Sequence, residues 1–221
     1  MFRNTGYTGW LSSEILTAPV LSALPWIEHG FGTREGPRSQ EGMATLRQIH
    51  SSLVLLADRD GLAGEGDALV TRQPGVMVSI RTADCLPILL ADERTGAAAA
   101  VHAGWRGSAA RIVQVTLERM RREFGTEASE VYAAIGPGIG GCCYHVGAEV
   151  RERFAIPGPG MLDLARENLR QLLDAGLAED RIGMLQRCTA CEPALFHSWR
   201  REKHAAGRMI SFIGVKGKEV R

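Results

Sequence analysis

Residues 81–107 read RTADCLPILLADERTGAAAAVHAGWRG. Two apolar runs, LPILLAD and AAAAVHA, flank a polar turn, DERTGA. The turn's length and its Gly96 suit a hairpin, so the two runs are expected to pair as antiparallel strands. With the turn centred near Glu93 and Arg94, Cys85 faces His102. Directly opposed residues lie about 4.5–5.5 Å apart at their Cα atoms. That is close enough for a thiolate and an imidazole to share one zinc, with bonds of about 2.3 and 2.0–2.1 Å. A register slip of one residue would put them on opposite faces. A catalytic zinc usually has three protein ligands and one open position. The third candidate is His50, in RQIHSS, although nothing in the spacing brings it to the hairpin. The plainer alternative is a buried thiol and a hydrogen-bonded histidine.

Outward from the hairpin, strands are expected at IEHGFGT (27–33), DALVT (67–71), GVMVSIRT (75–82), EVYAAI (130–135) and MISFIGV (209–215). Their β-branched residues sit between Gly and Pro punctuation. SLVLLAD (52–58) is too short to assign to helix or strand. Two amphipathic helices are expected, at 105–124 and 162–176, stopped by Gly125 and Gly176. The elements mix without a regular βαβ alternation. The expected fold class is therefore α+β, a layered sandwich in one domain over residues 1–221.

The formal net charge of +1 gives no global field for nucleic acid or an anionic membrane. An odd count of five cysteines does not read as a disulfide framework. It suits a reducing compartment, the cytoplasm. Arg3 and the apolar ILTAPVLSALPW imitate a leader. However, Glu14, Pro19 and Pro25 interrupt that run and no A-x-A site follows. No run approaches the roughly twenty apolar residues that span a bilayer.

GPGIGG (136–141) matches G-x-G-x-x-G, but CCYHVG follows where a dinucleotide site needs a helix. A tight loop approaching a pocket is expected instead. CTAC (188–191) with Cys142 and Cys143 offers four thiols. Adjacent cysteines make a poor chelating pair, so buried thiols are expected there rather than a second metal site.

TADCLPILL, VHAGWRG, QIH, IGPGIGGCCYHVG and ALFHSWRREKHAAGRMISFI occur in one order. This set resembles the YfiH or laccase-domain family, also called multicopper polyphenol oxidase-like proteins. The resemblance runs from about HGFGTR to SFI. It implies a sandwich of mixed sheets with outer helices, similar to the cytotoxic-necrotizing-factor type of cysteine hydrolase. It also implies His50, Cys85 and His102 as metal ligands. The implied activities are phosphorolysis of purine nucleosides, methylthioadenosine included, and deamination of adenosine. Partners would be a purine nucleoside and phosphate, with no nucleic acid and no membrane. Some bacterial members are linked to editing of peptidoglycan precursors. The chain departs from the family in a short segment before His50, where Arg34, Arg38 or Arg47 could replace a pocket arginine. It also has His145 where the family has glutamate.

Zinc is the expected cofactor, and copper suits the same donors. At its open position zinc lowers the pKa of water from 15.7 toward about 7. Arg81, Arg106 and Arg208 are candidates to hold phosphate, because the guanidinium fork matches its oxygens. Asp84 could orient an imidazole or transfer a proton, or simply serve a turn. Cys85 could instead be a nucleophile, as in cysteine hydrolases. The rival functions are thus an amide hydrolase and a non-catalytic binding protein. A laccase is not expected: six histidines with no H-x-H pair cannot build the copper sites of such an oxidase within one chain.

Overall fold

The computed structural model describes residues 14–217; Arg3 lies outside them. Along the chain the strands are β1 (Ile15–Leu16), β2 (Ile27–Gly32), β3 (Ala44–Arg47), β4 (Val54–Leu56), β5 (Gly61–Glu65), β6 (Ala68–Thr71) and β7 (Met77–Thr82). They continue as β8 (Leu86–Asp92), β9 (Ala97–Ala103), β10 (Val131–Ile135), β11 (His145–Val146), β12 (Gly160–Met161), β13 (Ile182–Met184) and β14 (Met209–Val215). Helices are α1 (Pro19–Ser22), α2 (Trp105–Ala109), α3 (Ile112–Phe124), α4 (Ala148–Arg151), α5 (Leu164–Asp174) and α6 (Trp199–Glu202). One six-stranded sheet has the order β1-β2-β14-β7-β3-β5 and the other β13-β10-β8-β9-β6-β4. Both mix parallel and antiparallel pairs. The class is α+β, as expected.

Every residue of β8 and β9 is buried, because both faces of their sheet are covered. On one face Leu86, Ile88, Leu90, Ala99 and Val101 pack with Ile112, Leu117 and Met120 of α3 and Leu172 of α5. On the other, Leu89, Ala91, Ala98 and Ala100 meet Phe31, Val78, Ile80 and Ile213 of the first sheet. The layers are therefore helix, sheet, sheet. Double coverage explains why these strands read as unbroken apolar runs rather than alternating ones. The small side chains of β9 leave room for larger residues opposite, which keeps the interior close-packed.

The hairpin forms in a different register from the one expected. Leu86 pairs with Ala103 and Asp92 with Ala97, so the turn centre lies between residues 94 and 95. Asp92 fixes this turn. Its Oδ1 accepts the N–H groups of Arg94 and Thr95 at 2.8 and 3.1 Å, and its Oδ2 accepts the Thr95 hydroxyl at 2.6 Å. Gly96 closes it at φ +70°. His102 thus pairs with Pro87, and the same register carried one step further sets Cys85 across from Gly104. A shift of two preserves the face, so Cys85 and His102 remain together as diagonal neighbours.

The helix expected over 105–124 is two helices. Arg111, at φ +58°, breaks it into α2 and α3; its left-handed backbone has no Gly or Pro to announce it. Buried side chains lock α2 to α5: the Asn168 amide donates to Ser108 Oγ at 2.8 Å, and that of Gln171 to the Ser108 carbonyl at 2.9 Å. The expected helix at 162–176 is α5, capped by Asp163, whose Oδ1 accepts Arg166 N–H at 3.0 Å. Strands β3, β5 and β13 have no counterpart among the expected elements. Among the described residues no helix is long and apolar enough to cross a membrane. The expectation of buried thiols also fails. Cys142 and Cys191 are exposed, and the sulfurs of Cys142, Cys143, Cys188 and Cys191 all lie within 4.8 Å of one another.

His29 of β2 is 8% exposed, and its Nε2 accepts Ala18 N–H at 2.9 Å. Burial holds its pKa down to about 4. An unfolded histidine binds a proton near 6.5, so the unfolded state carries more protons between these values. Stability therefore falls as pH drops from about 6.5 toward 4, by up to ~3 kcal/mol from this group. Urea unfolding across that range should show a shallower decline for His29→Gln than for wild type. Parallel declines would contradict this account.

Candidate metal centre

Asp67 precedes β6 and is fully buried. Its Oδ1 accepts His102 Nδ1–H at 2.8 Å, and its carbonyl accepts His102 N–H at 2.7 Å. The same carboxylate accepts the backbone N–H groups of Ile49, His50 and Ser51 and the Ser51 hydroxyl. One side chain thus fixes both the ring of His102 and the turn that carries His50. That turn needs fixing, because His50 sits at φ +58°, a strained choice for a residue other than glycine. With Nδ1–H given to the carboxylate, Nε2 of His102 is the ring nitrogen that could bind a metal.

Cys85 closes the set. One ligand atom from each of His50, Cys85 and His102 lies within 4.8 Å of the others, and the two rings stand 4.9 Å apart at 77°. A Cβ on Gly104 would fall 2.9 Å from Cys85 Sγ and 3.5 Å from the His50 ring. Only glycine leaves the thiolate clear there. His102 is buried, Cys85 half-buried and His50 exposed, so the cluster is open on one side. Two imidazoles, one thiolate and an open side fit a catalytic zinc.

Burial alone would raise the Cys85 pKa. Hydrogen bonds with His102 and His50 outweigh it and bring the thiol down to about 6. Burial alone would lower His102; the hydrogen bonds with Asp67 and Cys85 instead raise it to about 9. Burial would also raise Asp67, yet its bonds to His102 and Ser51 hold it near 2. Both shifts favour a thiolate beside an imidazolium when no metal is bound.

The cluster opens into a cavity of about 850 Å³. Arg47, Arg81, Arg106, Arg200, Lys203 and Arg208 line it, against one carboxylate, Asp84. Trp105, Tyr144 and Trp199 supply aromatic faces. Guanidinium groups lie over each: Arg106 4.5 Å from the Trp105 ring centre, Arg200 5.3 Å from Tyr144, and Arg208 5.7 Å from Trp199. His50, Asp84 and Lys203, three of the six described non-glycine residues at positive φ, are cavity residues. Strain is concentrated where function is sought.

Arg81, Arg106 and Arg208, expected at a phosphate site, all line this cavity. Of the three substitutes suggested by the short segment, Arg47 also does, paired with Glu65 at 2.9 Å. Arg34 instead holds Glu202 and the carbonyls of Pro193 and Phe196, while exposed Arg38 faces Glu35. The carboxylate that orients an imidazole is Asp67, not Asp84. Asp84 accepts the Thr189 hydroxyl at 2.7 Å and the Arg200 N–H at 2.6 Å, which ties the C-terminal segment to the cavity. The glycine loop does approach the pocket: Ile139 N–H donates to the Asp84 carbonyl at 2.8 Å. Asp67, Tyr144, Trp199, Arg200 and Lys203 escaped sequence reasoning.

Alkylation of Cys85 in metal-free protein, followed on its own peptide by mass spectrometry, should be half-maximal near pH 6. An unassisted thiol titrates near 8.5. A midpoint at that ordinary value would contradict the pairing with His102 and His50.

Residues 33–216 match the family model described as multi-copper polyphenol oxidoreductase laccase. The chain is 40% identical to a Deinococcus radiodurans protein named purine nucleoside phosphorylase, over 81% of this chain and 72% of that one. It is 36% identical to adenosine deaminase RL5, from an unknown prokaryotic organism, over 76% and 72% of the two chains. The crystal structure of the Bacillus licheniformis hypothetical protein YfiH superposes with a TM-score of 0.80 at 26% identity, covering 86% of this chain and 93% of that one. Motifs, fold and relatives agree, and the chain belongs to the multi-copper polyphenol oxidoreductase laccase family that includes YfiH.

Proposed function

We propose that this protein is a zinc-dependent purine nucleoside phosphorylase acting on adenosine, inosine and methylthioadenosine. One observation carries the reading. A cluster of two imidazoles and a thiolate opens into a cavity with six cationic side chains and three aromatic ones. Aromatic faces suit a purine, and guanidinium forks suit phosphate. The relatives' names support the same chemistry.

In this reading Arg106, Arg81 and Arg208 orient phosphate beside C1′ of the ribose. A phosphate oxygen bonds to C1′ as the bond from C1′ to the base breaks, and the proton of the hydrogen phosphate ends on the departing base, giving the neutral base and the sugar 1-phosphate (ribose 1-phosphate from adenosine or inosine). The cations offset the charge of the incoming anion in a partly enclosed site. Asp84 is a positioning residue, holding Arg200 and the wall behind it. His50, Cys85 and His102 hold the zinc, with Asp67 keeping His102 in the right tautomer. When bound, zinc supplies an electrophile and an acidified water at neutral pH. Cys85, committed as a ligand, is not the nucleophile. Residues 1–221 act as one domain in the cytoplasm, where the free thiols stay reduced.

A second reading, deamination of adenosine at C6 with loss of ammonia, is favoured by the likeness to adenosine deaminase RL5. Phenol oxidation by a multicopper mechanism is not supported. Of the six histidines, only His50 and His102 join a metal-ligand group among the described residues.

Adenosine turnover in the presence and absence of phosphate tests the proposal, with products resolved by chromatography. Phosphate-dependent release of adenine is expected, abolished in Cys85→Ala and His102→Ala. Arg106→Ala should raise KM for phosphate roughly 10–100-fold, the worth of one charge-assisted hydrogen bond. Inosine alone would move the assignment to deamination. No turnover of any purine nucleoside by metal-replete protein would overturn the reading in favour of an amide hydrolase or a binding protein.

A further inference from the structure

The second cluster of sulfurs lies outside the cavity and has no part in the chemistry above. It joins two segments far apart in sequence. The loop that follows β10 bends so that the Gly140 carbonyl accepts the N–H groups of Cys143 and Tyr144 at 2.9 and 3.1 Å. The loop after β13 bends likewise, with the Cys188 carbonyl accepting from Cys191 and Glu192 at 3.2 Å each. Gly138 bridges to Cys188, and Thr189 N–H donates to the Gly138 carbonyl at 3.0 Å. The two turns are thereby set side by side with their thiols converging.

The spacing is that of a tetrahedral ion. Four sulfurs bound at about 2.3 Å to one zinc stand about 3.8 Å from each other. The separations here are 3.7 Å for Cys142 and Cys143, 3.6 Å for Cys142 and Cys191, and 3.3 Å for Cys143 and Cys191. Cys188 completes the group within 4.8 Å. A disulfide would need about 2.05 Å. Burial does not explain the gathering, because Cys142 and Cys191 face solvent. Gly140 N–H points at Cys188 Sγ at 3.2 Å, a donor that favours a thiolate. Arg201 lies against the same turn, donating to the carbonyls of Thr189 and Ala190 at 2.8 and 2.9 Å.

We infer that Cys142, Cys143, Cys188 and Cys191 form a structural zinc site, separate from the cavity cluster. All-thiolate tetrahedral sites with no open position are structural rather than catalytic. The adjacency of Cys142 and Cys143 does not prevent it, because the turn closed on Gly140 brings both sulfurs to one side. The site acts as a clamp. One turn leads into Tyr144 and the other, through Thr189, reaches Asp84 and the segment carrying Trp199 and Arg200. Zinc there fastens one wall of the cavity at its back.

The probe is zinc alone. Cys85→Ala protein, which lacks the cavity thiolate, is equilibrated with zinc under reducing conditions and then dialysed. It should retain one zinc per chain, and X-ray absorption should place four sulfurs at about 2.3 Å. Adding Cys142→Ser or Cys191→Ser should weaken retention at least tenfold. Wild type gives a second readout that needs no folded variant. With zinc, the four thiols of this cluster, each followed on its own peptide so that Cys85 is scored separately, should resist a thiol reagent and become reactive when a chelator is added. The inference is overturned if the four thiols react equally with and without zinc. A retained ion with a nitrogen- or oxygen-dominated shell, or a disulfide within the four in freshly purified reduced protein, would overturn it as well.

Discussion

The Asp67 carboxylate is the constraint on which the site depends. A buried charge must be matched by donors, or its desolvation is not offset. Asp67 meets that demand with His102 Nδ1–H, three successive backbone N–H groups and the Ser51 hydroxyl. These partners come from a strand and from a loop. His102 lies near the end of β9, while residues 49–51 lie in the loop that leads from β3 of one sheet to β4 of the sheet that holds β9. Satisfying one carboxylate therefore fixes that loop against β9 and brings two candidate metal-ligand histidines together. The third candidate ligand, Cys85, comes from just before β8, the hairpin partner of β9.

The fold places this assembly at the ends of its strands rather than within a sheet. β8 and β9 are buried on both faces, so their middles have no access to substrate. Access begins at Cys85, just before β8, and at His102 near the end of β9, where the chain turns into α2. The cavity cations come from separate elements: β3, β7, α2, α6 and the segments that flank it. Their like charges are held near each other by local anchors, such as Arg200 on the Tyr144 ring and Arg208 on the Trp199 ring. An anion entering the cavity would relieve that repulsion, which is the physical basis for proposing phosphate as a substrate.

Much of this was legible in residues 81–107, and the reasons are physical. Apolar runs of seven with a Gly turn specify a hairpin, and one face must hold Cys85 and His102 together even when the register moves by two. The register itself was not legible, because it depends on the Asp92 side chain choosing which turn amides to accept. His50 could be suspected as a residue type but not placed, since its link to the hairpin passes through Asp67. The tetrad GDAL carries no motif that marks Asp67 as a buried acceptor. The break at Arg111 comes without a helix-breaking residue, and α2 before it is held to α5 through Ser108, Asn168 and Gln171. The four distal cysteines were misjudged for a similar reason. Spacing along the chain made Cys142 and Cys143 a poor pair, whereas the turn on Gly140 makes them neighbours on one side.

The most direct test of Asp67 as the organiser of the centre uses Cys85 as its own reporter. Alkylation of the Cys85 peptide is followed while free zinc is raised, in wild type and in Asp67→Asn. Bound zinc should protect the thiolate, and loss of the carboxylate behind His102 should raise the half-protecting zinc concentration roughly 10–100-fold. Coincident protection curves for the two proteins, with both folded, would contradict the account.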